Sequence, residues 1–146
     1  MTTAMITRSR ASYVSALDPS CPVKSEEPTT VDSLWLRLID VRAALTARGY
    51  SSACDVVLDV VDPVCPWNQR AWRLSVDDQG VATCQPTGDE ADVRLPVQAL
   101  GAAYLGSRSI AAQAHQGRVT ELKPGTLRRL SRAMSSDREP VGATQF

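Results

Sequence analysis

The chain has 146 residues, 43% of them apolar and 22% charged, the length and apolar content of one domain with a single core. Lys+Arg and Asp+Glu number 16 each, so the basic surplus that marks nucleic-acid and anionic-membrane binders is absent. No window approaches the ~18 consecutive apolar residues of a membrane span and residues 1–30 lack the apolar core of a secretory signal, so no nucleic acid and no membrane span is expected and the chain reads as cytoplasmic.

Residues 1–30 mix Ser, Thr, Pro19, Pro22 and Pro28 with scattered apolar side chains such as Ile6, Tyr13, Val14 and Leu17, and read as a flexible arm ahead of a domain over 31–146. The arm's charges cancel, Arg8, Arg10 and Lys24 against Asp18, Glu26 and Glu27. From residue 33, Leu34, Leu36 and Leu38 alternate with Trp35, Arg37 and Ile39, which predicts a strand. Residues 41–48 predict a short amphipathic helix with Val41, Ala44, Leu45 and Arg48 on one side and Gly49 as its stop. Cys54–Val61 predicts a central strand: Val56, Leu58 and Val60 face one way, and Asp55, Val57, Asp59 and Val61 the other. Asp62-Pro63 and Pro66 cannot continue a ladder, so residues 62–69 form a loop carrying Cys65 and Trp67.

Trp72, Leu74 and Val76 alternate again, and Asp77-Asp78-Gln79-Gly80 predicts a hairpin turn into residues 81–85. After a turn at 87–91, Val93 and Leu95 make a short fifth strand ended by Pro96. Residues 97–105, closed by Gly106, and 110–116, closed by Gly117, have helical spacing. A third helix starts with Pro124 as its first residue, with Leu127, Leu130 and Met134 on one face and Arg128, Arg129 and Arg132 on the other. The basic face reads as solvated, or as a contact for an anionic partner. This order predicts an α+β fold, a mostly antiparallel five-stranded sheet covered by helices on one face.

Cys21, Cys54, Cys65 and Cys84 include no C-x-x-C pair and read as structural thiols. His115 is the only histidine, so no metal site with two imidazoles and no conventional Ser-His-Asp set built around a second imidazole is available. Near a helix end it reads as a cap or surface group, the alternative being a lone general base. Asp55 and Asp59 share a strand face about 13 Å apart, too far for a carboxylate dyad, and read with Asp62 as solvated. Gln98-Ala99-Leu100-Gly101-Ala102-Ala103 fits the Q/R-x-x-G-x-G/A acetyl-CoA signature, but too few residues follow to complete that fold. It reads as an Ala-rich core helix, and no cofactor is expected.

Leu34-Trp35-Leu36-Arg37-Leu38-Ile39-Asp40-Val41, Asp62-Pro63-Val64-Cys65-Pro66-Trp67-Asn68, Trp72-Arg73-Leu74, Leu100-Gly101-Ala102-Ala103-Tyr104-Leu105-Gly106 and Gly117-Arg118-Val119-Thr120-Glu121-Leu122 form an ordered set. Together they resemble the C-terminal, sterol-carrier-protein-like domain of the Eis (enhanced intracellular survival) family of actinobacterial aminoglycoside N-acetyltransferases, over roughly residues 33–146. The resemblance implies a sterol-carrier-like fold without the two acetyltransferase-like regions that precede it in the family. It also implies a role for a terminal carboxylate that reaches an acetyltransferase active site. The matching group here is that of Phe146, reached through Asp137-Arg138-Glu139-Pro140, while residues 141–145 depart from the family's aromatic and Cys-Pro-containing ending.

Three functions follow as expectations. The first is a binding or carrier domain holding a small apolar or amphipathic molecule between sheet and helices, without acetyl transfer; Trp35, Trp67, Trp72 and Tyr104 would line the cavity, or else fill core. The second is a small enzyme of specialised metabolism using the same cavity, with Asp55, His115 or the Phe146 carboxylate as its polar groups. The third is an accessory subunit of an acetyltransferase supplied by a partner protein.

Overall fold

The computed structural model describes residues 36–106 and 108–137. The arm at 1–30, Trp35 and Phe146 lie outside the described residues. At the centre of the sheet is β1 (Cys54–Val61), a β-branched run whose alternation sends Val56, Leu58 and Val60 to one side. It pairs antiparallel with β2 (Ala71–Val76), Leu58 opposite Trp72, and parallel with β4 (Val93–Pro96), Leu58 opposite Val93. β3 (Ala82–Pro86) runs antiparallel outside β2, and β5 (Thr120–Glu121) antiparallel outside β4. The sheet order is therefore β3-β2-β1-β4-β5, a mixed but mostly antiparallel sheet. The β2–β3 turn is closed by Asp77, whose Oδ1 accepts from the backbone N–H of Gln79 and of Val81, both at 2.9 Å.

Four α-helices, α1 (Val41–Ala47), α2 (Val97–Ala103), α3 (Ile110–His115) and α4 (Thr126–Ala133), and one 3-10 turn at Pro66–Asn68 complete the described fold. The Asp40 and Ser109 side chains cap α1 and α3 by accepting from the N–H of Ala43 and of Ala112. Their apolar sides join the inward sheet side chains in one cluster. Leu45, Leu58, Leu74, Leu95, Leu100, Ile110 and Leu130 are all fully buried there. The space between sheet and helices is thus filled by the protein's own leucines. On the opposite sheet face stand Asp55, Asp59, Arg73, Ser75 and Arg94.

Two expectations need correction. Residues 36–40 form no strand, and the fifth strand is β5. The backbone of this segment bonds to side chains instead of a ladder: the Asn68 amide donates to the Ile39 carbonyl (3.1 Å) and accepts from Val41 N (3.1 Å), and the Trp67 indole donates to Ile39 O (2.8 Å). Pro124 is not the first residue of α4, because the chain first turns through Gly125 at φ +83° and the helix starts at Thr126. That left-handed conformation needs glycine.

Candidate functional site

The larger of the two clefts described here, about 570 Å³, opens where α1, α2 and α4 end. Its wall comes from three junctions: Arg48–Ser51 after α1, Tyr104 and Leu105 after α2, and Ser135–Asp137 after α4. The rings are held in place by their hydroxyls, Tyr50 donating to Leu45 O (2.8 Å) and Tyr104 to Ala44 O (3.0 Å), both carbonyls of α1. Burial pushes the Tyr50 hydroxyl pKa up, so it remains a neutral donor. The Arg48 guanidinium lies 4.7 Å from the Tyr50 ring centroid and 5.7 Å from that of Tyr104. Its Nη2 donates to Met134 O (2.9 Å) and its Nε to Gly49 O (3.1 Å), joining the ends of α1 and α4. Ser51 strengthens the junction, its backbone N–H donating to Ala133 O (2.9 Å) and its hydroxyl to Arg132 O (2.5 Å). Gly106, at φ +83°, lets the chain after α2 pass against Met134 O and Ser136.

The second cleft, about 310 Å³, is polar and opens on the sheet face of Asp55 and Arg73, with Arg129 of α4 in its wall. Asp55 lies there, in an ion pair with Arg73 and accepting from the Ser75 hydroxyl at 2.7 Å. The Arg73 hydrogen bond, then that of Ser75, lowers the carboxylate pKa, which leaves Asp55 a weak base. Arg73 also reaches Asp89 (3.2 Å), and Asp59 pairs with Arg94 (2.7 Å). Deeper in the same cleft, Asp92 accepts from Val57 N (2.9 Å) and Lys123 Nζ (2.7 Å). Burial raises the Asp92 pKa, but these bonds outweigh it and the net shift is downward.

The structure separates the residues singled out by sequence. Tyr104 lines the larger cleft and Asp55 the smaller, while His115 stands exposed at the last turn of α3. Trp72 is packed in the core and donates to Asn68 O (2.9 Å), and Trp67 is 54% exposed. Asp62 is not solvated with the other two aspartates: it is fully buried and accepts from Arg37, Val64 N, Cys65 N and the Asn68 amide. Burial raises its pKa, yet the four donors more than reverse that, and it stays ionised. The acetyl-CoA-like glycine, Gly101, faces backbone, since an added Cβ would sit 2.8 Å from Leu36 O. Cys54, Cys65 and Cys84 are free thiols, and burial pushes the Cys84 pKa up to about 11, away from the reactive thiolate. Among the described residues no group of three or more His, Cys, Asp or Glu could hold a metal ion, and no helix is long and apolar enough to cross a membrane. Sequence reading missed Arg48, Tyr50 and Ser51 as a site, although an arginine on the apolar side of a helix was the available signal.

Comparison with known proteins identifies the family of the fold. A family model described as a sterol carrier protein domain matches residues 41–142. A Streptomyces avermitilis protein named as an uncharacterized N-acetyltransferase is 51% identical over 105 residues, covering 72% of this chain and 25% of that protein. The N-acetyltransferase Eis of Mycobacterium tuberculosis is 36% identical over 118 residues, 79% of this chain and 28% of the relative. The crystal structure of Eis1 from Mycobacterium abscessus superimposes with a TM-score of 0.71 at 34% identity, over 81% of this chain and 29% of that one. The chain thus spans about a quarter of the length of the curated relatives it matches.

Proposed function

The chain belongs to the sterol carrier protein domain family, and on that premise we propose that it binds one small amphipathic molecule in the cleft at the helix ends and carries out no acetyl transfer by itself. The observation that carries this reading is the aromatic wall of a cleft of about 570 Å³, a volume suited to a small ligand. Tyr50 and Tyr104 are tied to α1 by their hydroxyls, so little side-chain freedom would be lost on binding. Membership of a sterol carrier family is consistent with an apolar ligand. The same reading takes residues 31–146 as the binding domain and 1–30 as its arm, the family match falling within the former.

The test is a fluorescence titration of the full-length protein with N-phenyl-1-naphthylamine, an uncharged aromatic probe. Saturable one-to-one binding is expected, weakened about ten-fold by Tyr104→Ala through loss of one aromatic wall. No saturable binding, or equal binding by the variant, overturns the reading. In parallel, acetyl-CoA with amine acceptors should release no CoA thiol; steady release above the blank refutes the second half of the proposal.

A second reading is favoured by one observation, that the relatives are named N-acetyltransferases and this chain matches only about a quarter of each. Under it the chain completes an acetyltransferase whose remaining parts come from a partner. Deletion of Gln145 and Phe146 should then cripple the reconstituted activity, and an unaffected rate removes the idea.

A further inference from the structure

We infer that the cleft selects ligands carrying a carboxylate-type anion, which pairs with the guanidinium of Arg48. This rests on the reading of the cleft as a ligand site and adds the chemistry of its ligand. Arg48 directs Nε to Gly49 O and Nη2 to Met134 O, but its Nη1 is buried without any acceptor. An orphan buried N–H is rare in folded proteins, more so on a charged group, and calls for a missing partner. The charge is uncompensated as well. Among the described residues no carboxylate forms an ion pair with Arg48, and Asp137, which lines the same cleft, makes none. The polar side chains acting on it are Tyr50, Tyr104 and Cys54, none of them a carboxylate, and burial pulls the guanidinium pKa down. Arg37 Nε is likewise buried without an acceptor, but the Arg37 guanidinium has the buried carboxylate of Asp62 as its counter-charge, which Arg48 lacks among the described residues. Arg48 therefore stands as a fixed cation, stacked on two rings, with one planar donor free for an anion that arrives with the ligand.

The experiment uses full-length protein and two probes of one skeleton, 1-anilinonaphthalene-8-sulfonate and the uncharged N-phenyl-1-naphthylamine. The anionic probe should bind about ten-fold tighter, the size expected of one charge-assisted hydrogen bond. Arg48→Gln should bring the affinities of the two probes to within about two-fold of each other, and Arg128→Gln, which alters an exposed arginine outside the cleft, should leave the preference as in wild type. Since Arg48→Gln also breaks the bond to Met134 O, a wild-type competition stands beside it: benzoate should displace the bound neutral probe and benzamide should not. Equal affinities for the two probes, equal displacement by benzoate and benzamide, or a preference surviving Arg48→Gln overturns the anion inference while leaving the cleft as a neutral-ligand site. Failure of both probes to bind saturably overturns the cleft reading and this inference with it.

Discussion

Replacing Asp62 tests whether the loop between β1 and β2 holds the segment that leads into α1. The Asp62 carboxylate is fully buried and receives Arg37, Val64 N (3.1 Å), Cys65 N (3.0 Å) and Asn68 Nδ2 (3.0 Å). Asp62→Ala removes all four acceptor contacts at once. The buried Cys65 N–H is left without a partner, whereas the Asn68 amide keeps Ile39 O and the Arg37 side chain, one-third exposed, still reaches water. With about 1–3 kcal/mol for the orphaned Cys65 N–H and about 1 kcal/mol for the lost Val64 bond, the Arg37 and Asn68 donors keeping other partners, Asp62→Ala should cost about 3 kcal/mol. Asp62→Asn retains an acceptor for the two backbone N–H groups but sets a donor against Asn68 or Arg37, and should cost about 2 kcal/mol.

Urea denaturation followed by Trp67 and Trp72 fluorescence reads this directly. At a slope near ~2 kcal/mol/M the alanine variant's midpoint falls by about 1.5 M. The pH dependence carries a sign that packing effects do not. The folded-state pKa of Asp62 is depressed below its unfolded value near ~3.9, so the carboxylate's contribution is complete above that pH and is lost as pH falls through the folded pKa. The gap between wild type and Asp62→Asn should therefore be flat from pH 7 to pH 5 and shrink at more acid pH. A cost under about 1 kcal/mol for Asp62→Ala, or a gap that widens on acidification, refutes the account.

Other substitutions separate packing from surface charge. Leu58→Ala, at a fully buried position on the central strand, should cost about 2–5 kcal/mol in the same urea assay. Asp55→Asn, by contrast, removes an ion pair whose two side chains are about half exposed, and should change stability by under about 1 kcal/mol. Gly106→Ala should lower the melting temperature by several degrees, because φ is +83° and the new Cβ would meet Ser136 N at 2.7 Å and Met134 O at 2.9 Å. If that variant melts with the wild type, the junction around the cleft is looser than its contacts imply.

The parts of this fold that sequence made legible are those whose pattern is local. Period-2 alternation in Cys54–Val61 assigns Val56, Leu58 and Val60 to the core and Asp55 and Asp59 to the open face, as the structure has it. The same rule applied at Leu36–Ile39 misleads, because alternation reports which side chains go inward and not what the backbone bonds to. Leu38 is indeed buried, yet the carbonyls around it are met by Asn68 and Trp67, 28 to 30 positions along the chain. β5 fails for the opposite reason: Thr120 and Glu121 have no pattern of their own and are a strand only because β4 lies beside them. The site follows the same logic. Period alone places Arg48 on the apolar side of α1, but its acceptor, Met134 O, is 86 positions away at the end of α4. Among the inward-facing polar groups, Arg48, Asp62 and Asn68 each join segments distant in sequence. Asp62 and Asn68 bond within the protein, whereas Arg48 keeps one donor without an acceptor. A polar residue at an inward position is thus the mark that local pattern supplies, and only the assembled fold shows which of its donors and acceptors find partners within the protein.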